Sequence, residues 1–529
     1  MDSFINREPE LRLIEDAFGD LLNKDTFLRT PIIDFYGVEG IGKTSILRKV
    51  IQTCDKNKIR YIWADASKNV PDFFHEIIHQ AGQYGELLPN QNEGKDLLRQ
   101  SIAVTQRLLG TGPLVMLLDA VDTMNDTKLQ PIATMLGDLV VNNKLFVVLT
   151  SRRSVSFEHK REVARKLTTL PLLPLDRDSS EQYLNSIGLP PDPELREIIF
   201  KWTRGYPLAM NVMVNTLTEK VDPRNELGQR TLLTQIKQKV INEGILARVE
   251  LAERPWFQIV LSLLSVPRRF NVVIMQNLIE EFAPSLKLAN SLSYIVLPKR
   301  ISQATDILSW NLAKGGFSID SPVRNIFLLQ LKIERPDDYH EINRFLVEIS
   351  QSNANDASGP DRIRYQREYL YHSANSCTEE QLPHILATTV QQIIQEAEKA
   401  PEDLIQFQEE FSQDTELKEL LGKHVDIVLS PIYQQLARKM YKDAIQEADE
   451  AKHVHYLHAF FSYTVQDPAI HDLSSLLKEQ IDQLIAQERP AIVLKLYEKL
   501  ARDDRFREAL GKDFSELLAR IRNNMPAEG

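Results

Sequence analysis

The sequence predicts a multidomain chain of α/β plus α class, with a parallel sheet wrapped by helices at the front and a helical region behind it. Three observations predict this. Short apolar runs alternate with helical periodicity through residues 1–175. One of those runs leads into a glycine-rich loop that opens a helix. Beyond residue 336, amphipathic helical patterns such as Gln446 to Phe461 and Ala491 to Leu500 are separated by polar breaks like Ser352 to Pro360.

The first apolar run, Pro31 to Tyr36, reads as a buried strand, and Ser45 to Val50 has apolar residues at helical spacing. Between them, Gly37-Val38-Glu39-Gly40-Ile41-Gly42-Lys43-Thr44-Ser45 matches the phosphate-loop pattern G-x-x-x-x-G-K-[ST] at every fixed position. Such a loop turns backbone N–H groups toward an anion at the positive end of a helix dipole. Lys43 is expected to reach the terminal phosphates of ATP or ADP, and the Thr44 hydroxyl to ligate Mg²⁺. A chance glycine turn would lack this flanking context.

Tyr61 to Ala64 is the second strand, and the helix after it contains His75-Glu76-Ile77-Ile78-His79, a literal H-E-x-x-H. A catalytic zinc requires a third protein ligand, and position 85 is Gly, so ordinary surface histidines are expected. Leu114 to Asp119 is an apolar run ending in a carboxylate, the Walker B form, which delivers Asp119 to the Mg²⁺ held by Thr44. Asp122 stands where a carboxylate can polarise an attacking water, although Asp also serves as a turn or helix-cap residue there. Lys144 to Thr150 is a fourth strand running into Ser151-Arg152-Arg153. An arginine at the carboxyl end of a central strand lies where open α/β sheets bind ligands, with Arg152 the first candidate for the γ-phosphate and Arg153 the second. Leu167 to Leu175 supplies the fifth strand.

After the helical stretch Pro193 to Arg204, Gly205-Tyr206-Pro207-Leu208-Ala209 resembles the G-x-P-L-A motif of STAND-class signalling ATPases. These are NB-ARC/NACHT-like P-loop NTPases, among them plant disease-resistance receptors, apoptosome-forming factors and bacterial relatives. Phe4 to Leu11 is similar to their F-V-G-R-E-x-E-L segment, with Asn6 replacing Gly. Leu118 to Asp122 resembles their D-x-h-[DE] Walker B variant, and Thr150-Ser151-Arg152 their sensor. The resemblance implies that the backbone near Ile5 and the ring of Pro207 pack against adenine and ribose, joined by Arg7. Taken alone, Pro207 reads first as a helix-bounding proline. It implies a P-loop NTPase domain over 1–175, a helical lid over 176–249, a winged-helix-like domain over 250–335 and a C-terminal helical region over 336–529, TPR-like or irregular, with a solenoid favoured. Asp320 stands where the family often carries a nucleotide-sensing His, and no histidine is nearby.

The function so implied is a nucleotide switch. ADP holds the domains closed, ATP releases them to oligomerise or engage a protein partner through the C-terminal helices, and slow Mg²⁺-dependent hydrolysis resets them. The effector is expected on another chain. Two alternatives are a non-hydrolysing nucleotide-binding adaptor and a DNA-acting, origin-binding-like ATPase. Composition weighs against the last. Residues 336–529 hold 21 Lys/Arg against 35 Asp/Glu, while Arg268, Arg269, Lys299 and Arg300 are too few and scattered for a phosphate-binding face. Nucleic acid is therefore an unexpected partner. The histidines 453, 455 and 458 lack carboxylate or Cys partners in a ligand-like array. With two distant cysteines, Cys54 and Cys377, no secretory signal and no apolar run long enough to span a bilayer, a cytoplasmic protein away from membranes is expected.

Overall fold

Parallel strands buried on both faces are built from near-continuous apolar sequence, and those runs set the front of the chain. The computed structural model describes residues 7–23, 27–85, 96–121, 126–218, 221–311, 315–397, 401–470, 472–488 and 490–523. It divides into two units at Glu334 and Arg335.

In the first unit α1 (Glu8–Leu22) precedes β1 (Ile32–Tyr36), and α2 (Lys43–Asn57) leads to β2 (Arg60–Asp65). The helices α3 (Val70–Gly82) and α4 (Leu97–Thr111) come before β3 (Leu114–Asp119). Then follow α5 (Asp126–Leu139), β4 (Leu145–Ser151), the short α6 (Arg161–Ala164) and β5 (Leu167–Pro171). All five expected strands are present, parallel and in the order β2-β3-β4-β1-β5. Every residue of β4 is buried, and in β3 all but Asp119. On one face Ile62, Leu118 and Leu149 pack with Phe73 and Ile77 of α3, Leu108 of α4 and Leu136 of α5. Because the strands run one way, their carboxyl ends and the loops that follow them share one edge.

A buried polar tie crosses this edge. Asp34, in the middle of β1 and fully buried, accepts from the Ser151 hydroxyl at 2.7 Å and the Val155 amide at 2.9 Å. A buried carboxylate is tolerated only when its oxygens find donors. Here those donors bracket Arg152, fixing the end of β4 relative to β1.

The chain continues through α7 (Arg177–Ser186), α8 (Pro193–Thr203), α9 (Pro207–Thr216) and α10 (Glu226–Ile236), the last running into a π-helical stretch at Lys237–Ile245. Asp176, Asp192 and Asn225 cap α7, α8 and α10 by accepting the amides of Ser179, Leu195 and Gly228, which satisfies donors a helix start leaves open. The remainder comprises α11 (Arg254–Ser265), α12 (Val272–Phe282), α13 (Ser291–Thr305), the antiparallel pair β6 (Leu308–Asn311) and β7 (Gly316–Ile319), and α14 (Ser321–Glu334). Phe270 joins β7 through paired backbone hydrogen bonds with Phe317 at 2.9 and 2.8 Å.

Asp320 lies between β7 and α14. Its amide donates to the Ile307 carbonyl at 2.9 Å, and its carbonyl accepts from the Arg324 amide at 2.9 Å. Burial pushes its carboxyl up to about 7, with Arg153 pulling the other way and Asp306 adding to the rise.

The second unit is helical: α15 (Pro336–Asp356), α16 (Gly359–Asn375), α17 (Leu382–Ala397), α18 (Pro401–Gln413), α19 (Thr415–Leu421), α20 (Val425–Gln446), α21 (Glu450–Gln466), α22 (Leu473–Gln487), α23 (Pro490–Arg502), α24 (Asp504–Leu510) and α25 (Asp513–Asn523). It has two apolar cores. One gathers Ile363, Leu386, Phe407 and Ile432, the other Leu457, Phe461, Leu496 and Phe506. No helix among the described residues is long and apolar enough to cross a membrane.

Two stability measurements test the roles of Asp34 and Asp320. All four tryptophans, at 63, 202, 256 and 310, lie in the first unit, so their fluorescence reports its unfolding. Asp34→Ala leaves two donors unpaired, so urea unfolding followed this way should show a loss of about 2–3 kcal/mol; an unchanged midpoint would contradict the tie. For Asp320 the folded carboxyl holds its proton up to about pH 7, while the unfolded one releases it near 3.8. Its contribution is therefore intact below the unfolded value and lost as pH rises toward the folded one. Asp320→Asn should melt progressively higher than wild type from roughly pH 4 to pH 7, with the gap level beyond. A pH-independent gap would refute this.

Candidate functional site

The phosphate loop occupies the turn between β1 and α2, and its neighbours hold it from several sides. The Gly37 amide donates to the Ser151 carbonyl at 3.1 Å. The buried Arg7 guanidinium donates to the Ile41 carbonyl at 2.8 Å and to the Leu173 carbonyl at 2.7 Å, with Glu10 at 3.4 Å. The hydroxyl of the fully buried Tyr206 donates to the Glu39 carbonyl, and burial pushes that phenol well above its ordinary range. Lys43 folds over the loop, its Nζ donating to the carbonyls of Gly37 at 2.6 Å and Val38 at 3.0 Å.

Gly40 shows why the loop is glycine-rich. Its φ is +75°, and a Cβ there would come within 2.5 Å of Leu208 Cβ. Both facts favour glycine, and the second ties the loop to the Gly205-Tyr206-Pro207-Leu208-Ala209 segment. Gly205 in turn has φ +73°, and a Cβ on it would stand 1.8 Å from the Leu175 carbonyl oxygen. That close approach lets the Leu175 amide donate to the Gly205 carbonyl at 2.9 Å, so Pro207 begins α9 at the cavity wall. Proline at a helix start costs no hydrogen bond, so the helix-bounding role and the site position coexist.

Across the cavity, β3 brings Asp119 to the sheet edge. Its carboxylate accepts from the Thr150 hydroxyl, which also accepts from the Ala120 amide at 3.2 Å. Ala120 has φ +55°, a left-handed conformation that costs a residue with a Cβ about 1 kcal/mol or more. The two arginines after β4 diverge. Arg152 is ion-paired with Glu39, its side chain 14% exposed. Arg153 instead donates to the Leu308 carbonyl at 2.5 Å, with the Asp306 carboxylate 3.8 Å away.

These residues surround a cavity of about 790 Å³. Of the expected site residues, Arg7, the run Glu39 to Ser45, Asp119, Arg152 and Pro207 line it. Gly37 and Val38 lie behind, as carbonyl acceptors for Lys43. Ile5 and Asp122 fall outside the described residues. The walls also include residues that sequence reasoning missed: Asp65, Ser67, Tyr183, Asn211 and Arg248. Asp65 had a signal, since it ends an apolar strand as Asp119 does and sits opposite it in the β2–β3 register. Asn211 lies one helical turn after Pro207. Tyr183 and Arg248 carried none. Arg248, just past the π-helical stretch, reaches the Asp306 carboxylate at 2.7 Å.

The donor set fits a magnesium nucleotide: a loop conformation that a side chain at Gly40 would obstruct, Lys43 and Arg152 as cations, and Thr44 and Asp119 as hard oxygen ligands. Elsewhere, His75 and His79 are exposed on α3. His453 contacts the Ala444 carbonyl at 2.7 Å and Glu488 at 3.0 Å, whereas His458 faces Asp503 at 3.1 Å. No metal-holding group of three His, Cys, Asp or Glu side chains occurs among the described residues. Arg300 pairs with Glu253 at 2.6 Å and lies over the Trp256 ring.

Comparison with known proteins agrees with the loop. Residues 12–175 match the NB-ARC domain family. No curated protein matches the chain. Among solved structures, a STAND signal-transduction ATPase with a tetratricopeptide-repeat sensor from Pyrococcus horikoshii is 14% identical, covering 99% of this chain and 72% of that one, with a TM-score of 0.31. Cdc6p from Pyrobaculum aerophilum is 13% identical over 64% of this chain and 97% of that one, at 0.35. The Orc1 protein of Aeropyrum pernix, solved in complex with DNA, is 17% identical over 64% and 94%, at 0.30. These superpositions are loose, and the assignment rests on the family match together with the loop and its strand order. Over residues 12–175 the chain matches the NB-ARC domain family, and the loop and strand order there are those of a P-loop NTPase fold.

Proposed function

We propose that the protein is an ATP/ADP-binding switch in which the state of the phosphates sets the arrangement of the surrounding domains. The observation that carries this reading is that one cavity is walled by two parts of the first unit. Lys43, Asp119 and Arg152 come from the NTPase domain over 1–175, and Pro207, Leu208 and Asn211 from the helical lid over 176–249. Arg248 adds a link, through Asp306, to the helix–hairpin module over 250–335, which we read as winged-helix-like. A ligand shifts such an equilibrium only by binding two arrangements unequally. Walls contributed by separate elements supply that inequality.

In this reading Lys43 and the loop amides hold the β- and γ-phosphates, and Pro207, Arg7 and the backbone near Ile5 form the base and ribose side. Thr44 and Asp119 would hold Mg²⁺, which neutralises charge on the phosphates when bound. Arg152 contacts the γ-phosphate, and Asp122 orients water for slow hydrolysis that resets the switch. The helices of 336–529 serve as the surface for a protein partner or for self-association. An adaptor that binds nucleotide without turning it over would need the same cavity, so hydrolysis decides between the two.

Single-turnover hydrolysis with excess protein separates them. Wild type should convert Mg-ATP slowly. Lys43→Ala should lose binding by roughly a hundredfold or more, since it removes the phosphate-facing cation. Asp122→Asn should bind normally but hydrolyse roughly a hundredfold more slowly. Binding without turnover in wild type would leave the adaptor; turnover unaffected by Asp122→Asn would remove that residue from the mechanism.

A further inference from the structure

One carboxylate in the nucleotide cavity has no part in the switch as described. Glu39 is the third residue of the phosphate loop, and its backbone carbonyl is held by the buried Tyr206 hydroxyl. Its side chain, 43% exposed, turns to Arg152 and forms an ion pair with the Nη2 group. Arg152 is the more enclosed partner and lines the cavity with Lys43, Thr44 and Asp119. The cation assigned to the γ-phosphate is thus engaged by an anion belonging to the loop itself. Lys43 donates to the carbonyls of Gly37 and Val38 at 2.6 and 3.0 Å.

We propose that Glu39 is a specificity-determining residue: its carboxylate holds the position on Arg152 that the terminal phosphate of a nucleoside triphosphate would take. The site then discriminates against the triphosphate and in favour of the diphosphate. This rests on the switch reading above, in which Arg152 contacts the γ-phosphate.

The physical argument is competition for one cation. A guanidinium makes its strongest hydrogen bonds to an ionised oxygen acceptor, and carboxylate and phosphate are interchangeable in that role. Two anions drawn to the same side of Arg152 also repel each other across a partly enclosed cavity. A diphosphate stops short of the sensor and leaves the Glu39–Arg152 pair intact. A triphosphate reaches Arg152 only by displacing the carboxylate into solvent, which the exposure of Glu39 permits. Because the pair is part-exposed, the penalty is modest, about tenfold in relative affinity. The Tyr206 contact ties the backbone of Glu39 to the helical lid, so exchange of anions on Arg152 is coupled to the element that must move.

The test is titration of nucleotide-free full-length protein with Mg-ADP and with a non-hydrolysable Mg-ATP analogue, for wild type, Glu39→Gln, Arg152→Ala and the double variant. Thermal melting of each variant verifies folding. The expected result is an analogue-to-ADP affinity ratio about tenfold higher in Glu39→Gln than in wild type. The ratio should fall in Arg152→Ala, and adding Glu39→Gln to Arg152→Ala should change nothing further. If Arg152→Ala lowers the ratio but Glu39→Gln leaves it unchanged or lowers it, the competition is overturned while the switch reading stands. If wild type binds neither nucleotide, or Arg152→Ala leaves the ratio untouched, the reading beneath the proposal falls with it.

Discussion

The first unit is organised around one constraint: a loop with no hydrogen-bond ladder of its own must keep its backbone amides facing an anion. It cannot do so unaided, because isolated glycine turns are conformationally free. The restraint comes from outside. Ser151 accepts the Gly37 amide, Arg7 holds the Ile41 carbonyl, Tyr206 holds the Glu39 carbonyl, and Leu208 fills the space a side chain on Gly40 would need. These restraints come from three separate stretches of chain. The loop's conformation is therefore a joint property of the sheet, the N-terminal helix and the segment at 205–209.

That dependence accounts for features that are costly elsewhere. Asp34 is a fully buried carboxylate in a central strand, tolerated because its donors pin the segment that carries Arg152. Ala120 takes a left-handed conformation directly after Asp119, and Gly205 accepts a backbone contact that no other residue could make. Behind the loop, Asp306 receives both Arg153 and Arg248, one from the sheet edge and one from just past the π-helical stretch. A change in the loop is consequently felt at Leu208 and Tyr206. A change at Arg248 is shared between the cavity and Asp306.

Much of this was legible in the sequence, for physical reasons. Strands buried on both faces are written as unbroken apolar runs, so all five were readable, and the phosphate loop is a local pattern whose context is local too. What was not legible is what depends on tertiary approach. The pairing of Glu39 with Arg152 spans more than a hundred residues, and nothing in Gly-Val-Glu-Gly announces it. Tyr206 was read as a variable position inside a motif, yet its hydroxyl grips the loop. Tyr183 and Arg248 enter the cavity because of how helices pack, and Asp65 because β2 lies beside β3. Arg152 and Arg153, adjacent in sequence, were candidates for one role; strand geometry sends them to opposite sides.

The central claim is that this loop holds a purine nucleotide as its resting ligand. The direct measurement is to denature the purified chain, identify and quantify any released nucleotide, and incubate a stripped sample with Mg-ADP. The account predicts roughly one ADP or ATP per chain, either carried through purification or taken up by the stripped protein. A chain that releases none and takes up none, while remaining folded by tryptophan fluorescence, would contradict it.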